Sequence, residues 1–208
     1  MKTALLGCAF LLALIVRAEN PPTNRIALFN GHTLAGWQEV AFDGRGQIDI
    51  KPAGILEIGA GATLTGLVCA HPPARMNYEI TLEARRLSGA DFFCGLTFPV
   101  ETNCCTLILG GWGGSVIGLS SVDGADASEN ETGGTFEFEQ NRWYTICLRV
   151  TPDKIEVWLD QNRIVNLDIE DRRLGMRHGD IEKCKPLGLA TWQTSGELRN
   201  IYLRTQLP

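Results

Sequence analysis

No segment of this chain keeps a helical period for long. Short apolar runs recur instead at 55–58, 64–70, 78–86, 92–98, 105–109, 115–120, 135–138, 143–150, 154–159, 163–168, 187–193 and 198–204, each closed by Gly, Pro, Asn or Asp. Many short strands at this spacing predict an all-β sandwich of two antiparallel sheets. An earlier strand from Ile26 ends at an Asn30-Gly31 turn, after which Leu34 and Trp37 return to the core. Only Glu170 to Met176 has the makings of a helical turn. No internal repeat or low-complexity segment interrupts the series, so residues 26–208 read as one domain.

The N-terminus is different in kind. Lys2, the apolar run Ala4 to Val16 and Val16-Arg17-Ala18 form a secretory signal, residues 1–18, followed by a polar leader, residues 19–25. The apolar run is shorter than the roughly 20 residues of a membrane span, which predicts an exported chain without membrane insertion. Removing Lys2 and Arg17 takes 19 basic residues to 17 against 24 acidic ones, a charge near −7. That excess excludes nucleic acid and anionic membranes as natural partners. Six cysteines remain after Cys8, and they allow 15 pairings, so connectivity stays open. Cys94 and Cys147, inside apolar runs, read as buried free thiols.

The stretch from Asp91 to Thr132 is where a site is expected. Two strand-like runs feed Gly110-Gly-Trp-Gly-Gly114, and glycine beside a strand lets a ligand approach the backbone. Flanking glycines leave the Trp112 ring open for stacking on a sugar. The polar loop beyond carries Asp123, Asp126, Glu129, Asn130 and Glu131. Its oxygens suit a divalent cation such as calcium, although the spacing is not that of an EF-hand, and Asn130-Glu-Thr132 is a glycosylation sequon. A zinc site would need all of His32, His71 and His178. Alternation sends Tyr78, Ile80, Leu82 and Ala84 to one face and Glu79, Thr81, Glu83 and Arg85 to the other. Glu79 reads as a cross-strand ion pair, and Glu83 and Arg85 as site candidates. His178, in Arg177-His-Gly-Asp180 beside Glu182, has the chemistry of a proton carrier. Gln193 suits hydrogen bonds to sugar hydroxyls, and Trp192 reads as core.

Leu28-Phe-Asn-Gly31 with Leu34 and Gly36-Trp37 resembles the opening signature of the 3-keto-disaccharide hydrolase family, also described as 3-keto-glucoside lyases and 3-keto-glucal hydratases. Asn77 to Arg85, Asn141 to Val165, and Leu187 to Gln193 with Arg199-Asn-Ile-Tyr202 are similar to its central, late and closing strands. The likeness spans nearly the whole chain after the signal. It departs at Asp91-Phe-Phe-Cys-Gly-Leu96, where the family has an Asn-Ser-Gly-Ile type of segment, and over Gly110 to Thr132. The resemblance implies a concanavalin-like jelly roll with a concave ligand face and a carbohydrate partner. It also implies elimination across a glycoside oxidised at its third carbon, followed by water addition. Under that reading Glu83 or His178 is the base and Arg85 steadies the enolate, while Trp112, Asp123, Asn130, Glu131 and Gln193 contact sugar. The alternatives are a non-catalytic carbohydrate-binding module and a structural domain. What separates them is whether Glu83, Arg85, Trp112, Gln193 and the acidic loop converge.

Overall fold

A computed structural model describes residues 25–73, 75–205 and 207. The expected signal, residues 1–18, and the leader up to residue 24 lie outside these. Fifteen strands follow in order: β1 Arg25–Ala27, β2 Trp37–Glu39, β3 Ile48–Lys51, β4 Ile55–Ile58, β5 Leu64–Cys69, β6 Tyr78–Ser88, β7 Cys94–Val100 and β8 Asn103–Gly111. Then come β9 Val116–Ser120, β10 Gly134–Thr135, β11 Tyr144–Val150, β12 Lys154–Leu159, β13 Asn162–Asp168, β14 Gly188–Trp192 and β15 Ser195–Thr205. The first sheet has the order β13-β12-β11-β6-β15-β4-β3, with β1 also on β15; the second is β10-β9-β8-β7-β14-β5-β2. Every named pairing is antiparallel.

Period-2 alternation explains how the two layers meet. On β6, Tyr78, Ile80, Leu82 and Ala84 are buried and join the inner faces of the other strands, including Leu96 and Phe98 of β7 and Leu107 and Leu109 of β8. Each buried aliphatic side chain contributes roughly 2 kcal/mol by leaving water. Among the described residues no helix is long and apolar enough to cross a membrane.

Several expectations shift. The helical turn at Glu170 to Met176 does not form; a short 3-10 turn lies instead at Asp180–Cys184. The strand expected at 135–138 stops at Thr135. Phe136 and Phe138 turn inward there to pack edge-on against Tyr144, with Phe93 completing the cluster. Arg25, expected in the leader, already pairs with Arg204. All six described cysteines are free thiols. Cys94 is buried as expected, but Cys147 is only half-buried, because alternation puts it on the outer face opposite Thr81.

Candidate functional site

The residues singled out from sequence divide between two surfaces. Glu83 and Arg85 lie on the outer face of the first sheet, within a lattice of ion pairs. Glu83 accepts from Arg199 Nη2 at 2.7 Å and from Asn200 Nδ2 at 2.8 Å. Arg85 Nε donates to Glu197 at 2.6 Å. The Trp143 ring contacts both guanidinium groups, Arg85 at 4.6 Å and Arg199 at 4.1 Å. Glu79 accepts from Arg149 and Arg204 on the same face. Each of these carboxylates is already held by at least one guanidinium group, so these side chains brace the sheet.

The acidic loop is likewise engaged internally. Asp123 and Glu131 are both ion-paired to Arg172. Asn130 Nδ2 donates to the carbonyls of Leu119, Ala125 and Asp126, and its Oδ1 accepts from the Thr132 amide and hydroxyl. That amide is the staple of the loop and is not left to meet sugar. Calcium needs 6–8 oxygens free to converge, and Asp123, Asp126 and Glu131, each already held on a guanidinium group, do not fit it. Among the described residues no three His, Cys, Asp or Glu side chains gather as metal ligands. Gln193, at φ 46°, turns its amide onto the Ala62 carbonyl at 2.8 Å.

The opposite face, the outer face of the second sheet, holds a cleft of about 410 Å³. Trp112 and His178 both line it; Glu83, Arg85, Asp123, Asn130, Glu131 and Gln193 do not. Trp112 stands at the tip of the turn after β8, 40% exposed. Arg86 shapes that turn: its guanidinium lies over the rings of Phe93 and Phe138 and donates to the Gly114 carbonyl at 2.7 Å. Gly110, at φ +82°, has to be glycine twice over, since a Cβ there would run into the same guanidinium. Removal from water lowers the Arg86 pKa, offset in part by Asp91.

Asp91 lines the cleft next to this turn. Its Oδ1 accepts from the Phe92 amide at 2.8 Å and its own amide donates to Thr194 Oγ1 at 3.0 Å, which fixes the carboxylate in place. Below, Thr97, Thr106 and Ser120 fall in register across β7, β8 and β9. The first two hydroxyls meet at 3.0 Å, and Ser120 Oγ donates to Asp126 at 2.9 Å. Asp126 in turn holds Arg177 at 2.6 Å, and Arg177 leans over the Trp112 ring at 5.7 Å. His178 is 99% exposed at the rim, its Nδ1 3.1 Å from Glu182. The Lys185 ammonium, with the Gly179 amide, keeps the Glu182 carboxyl below its usual range.

The arrangement therefore offers the exposed Trp112 ring, the fixed Asp91 carboxylate, the Arg177 cation and the rim imidazole of His178. Sequence reasoning found Trp112 and His178. It missed Asp91 and Arg177 as side chains of the site, although both stand inside strings it marked. Arg86 also carried a signal: alternation puts it on the core side with Ala84, and a charge there needs a reason.

A family model described as a 3-keto-alpha-glucoside-1,2-lyase-like domain matches residues 24–204. The chain belongs to that family. Membership makes it a carbohydrate-active, glycosyl-hydrolase-like domain. Its fold is the concanavalin-like jelly roll of Bacillus licheniformis beta-glucanase, at TM-score 0.60 and 9% identity over 90% of this chain and 100% of that one. A putative glycosyl hydrolase from Parabacteroides distasonis aligns at TM-score 0.55 and 14% identity, over 88% and 94% of the two chains. The carbohydrate-binding module CBM66 from Bacillus subtilis aligns at TM-score 0.55 and 10% identity, over 82% and 96%. Identities this low carry the architecture and not the chemistry. No curated protein matches the chain in sequence.

Proposed function

We propose that the domain is an exported lyase acting on 3-keto glycosides in the cleft beside Trp112. Export rests on Lys2 and the apolar run Ala4 to Val16. The reaction rests on one observation: Asp91, Trp112, Arg177 and His178 line the same cleft. A ketone at the third carbon acidifies the proton on the second. Asp91 removes that proton, and the Arg177 guanidinium steadies the enolate oxygen while Trp112 stacks on the ring. The electron pair of the broken C–H bond then forms the C1–C2 double bond as the C1–O bond breaks. His178, steered by Glu182, returns a proton to the departing oxygen. Water added across the new double bond completes net hydrolysis. Glu83 and Arg85, on the far face, take no part.

The test is turnover of a 3-keto-disaccharide by variants. Asp91→Asn is expected to lower kcat by about 100-fold or more, while Glu83→Ala leaves it within about twofold, because an exposed-face ion pair stabilises only weakly. Full turnover in Asp91→Asn would overturn the assignment. The exposed ring of Trp112 favours a second reading, a binding module that uses the cleft without chemistry. Retention on a glycan column with no turnover of any 3-keto substrate would select it.

A further inference from the structure

The cleft has two unlike halves. At the β8–β9 side stand Trp112, Ser120 and Arg177, with Asp91 nearby. Across the sheet, toward β14 and β5, the lining is Leu64, Phe92, Ile181 and Trp192, with Asp180, next in the chain to Ile181, ion-paired to Lys183. These four are continuous with a separate apolar cluster built on Val40, Phe42, Cys184 and Ala190, outside the main core. Leu64 and Trp192 are directly paired across β5 and β14, and the Trp192 amide donates to the Phe92 carbonyl at 3.1 Å, so the wall is rigid. Beneath it Gly66, Ala190 and Gly95 fall in register across three strands. Phe92 lies on Gly95, where an added Cβ would meet its ring at 3.0 Å.

A second sugar fits this half poorly. Each pyranose hydroxyl that leaves water needs a partner, and the Leu64, Phe92 and Ile181 side chains offer none, so a hydroxyl left unpaired against them costs roughly 1–3 kcal/mol. A flat aromatic group loses nothing there and gains the contact area. We infer that the apolar half receives an aromatic aglycone, making the natural substrate a 3-keto aryl glycoside whose sugar sits at Trp112 and whose ring lies among Phe92, Ile181 and Trp192. This rests on the lyase reading above. The step is unchanged in its balance: the C2 proton goes to the base, the C1–O bond breaks, and a phenol and a 3-keto-2-hydroxy-glucal leave. A phenol has a pKa of about 10, so this leaving group asks little of His178.

Two measurements test the inference. The first does not depend on turnover: binding of unoxidised phenyl glucoside and of maltose, followed by tryptophan fluorescence. Phenyl glucoside is expected to bind roughly tenfold or more tightly; equal or tighter binding of maltose overturns the proposal. The second compares kcat/KM for the 3-keto forms of the same two compounds in the wild type and in Ile181→Asn, whose folding is checked by its melting curve. The aryl preference should fall about tenfold, the KM of the aryl substrate rising while that of the disaccharide, whose second sugar gains an amide partner, does not rise. An equal loss on both substrates overturns it. Should neither 3-keto compound turn over while phenyl glucoside still binds preferentially, the lyase reading fails and the aryl subsite stands.

Discussion

At Glu83 two opposing effects meet. Burial raises the carboxyl pKa, while the Asn200 amide and the Arg199 guanidinium lower it, and the net position is below the usual range. A carboxyl depressed in the folded state contributes stability that is fully present above its unfolded value near ~4.3 and is lost as the pH falls through the lower folded value. Glu83→Gln is therefore expected to cost about 1 kcal/mol at pH 7, with the gap to wild type closing below about pH 4. Urea denaturation of both proteins across a series of pH values from 7 into the acid range checks this, and a gap that does not narrow at all in acid would show that packing and not charge is responsible. The residue also shows a limit of sequence reasoning. Alternation sorted Glu83 from Ala84 correctly, but it only separates core from outside. A sandwich has two outsides, and nothing in the period of β6 says that the cleft lies on the other one.

At the scale of the element, the turn from Gly110 to Gly114 is the feature that presents Trp112. The glycines announced a special backbone in the sequence, but not its cause. Arg86, 24 residues earlier, packs over Phe93 and Phe138 and reaches the carbonyl of Gly114. That long-range contact is invisible to spacing. Two substitutions separate the backbone effect from the clamp. Gly113→Ala meets nothing within 4 Å and bears only the positive φ of +90°, a cost of about 1 kcal/mol. Gly110→Ala bears a similar φ and must also displace the guanidinium, so it is expected to lose clearly more than about 1 kcal/mol. Equal losses in chemical denaturation would mean that Arg86 does not tighten the turn. The acidic loop was legible only as composition. Five polar side chains looked like ligands, yet Arg172, Arg177 and the loop carbonyls, supplied from other positions, had already engaged most of them.

Across the whole molecule, the sandwich was readable because both of its faces obey one rule, apolar inward at every second residue. Thiol chemistry was not, since cysteine serves equally as a bridge or as a small core side chain. Here the core decides. Cys94, Cys105 and Cys184 are buried, and burial pushes each thiol up to about 12. Burial also raises Cys147 to about 12, with the neighbouring Glu79 charge adding to it. The thiolate is the species that reacts, so the four are expected to stay unmodified by a thiol reagent at pH 7.5 until the protein is unfolded. A chain of this length buries enough surface to stand without cross-links, and a reductant should leave the Tm unchanged. The comparison is decisive because a native disulfide contributes about 2–4 kcal/mol, which at this size corresponds to a Tm shift of at least about 5 °C. A drop of that size on reduction would show that at least two of the six thiols are joined.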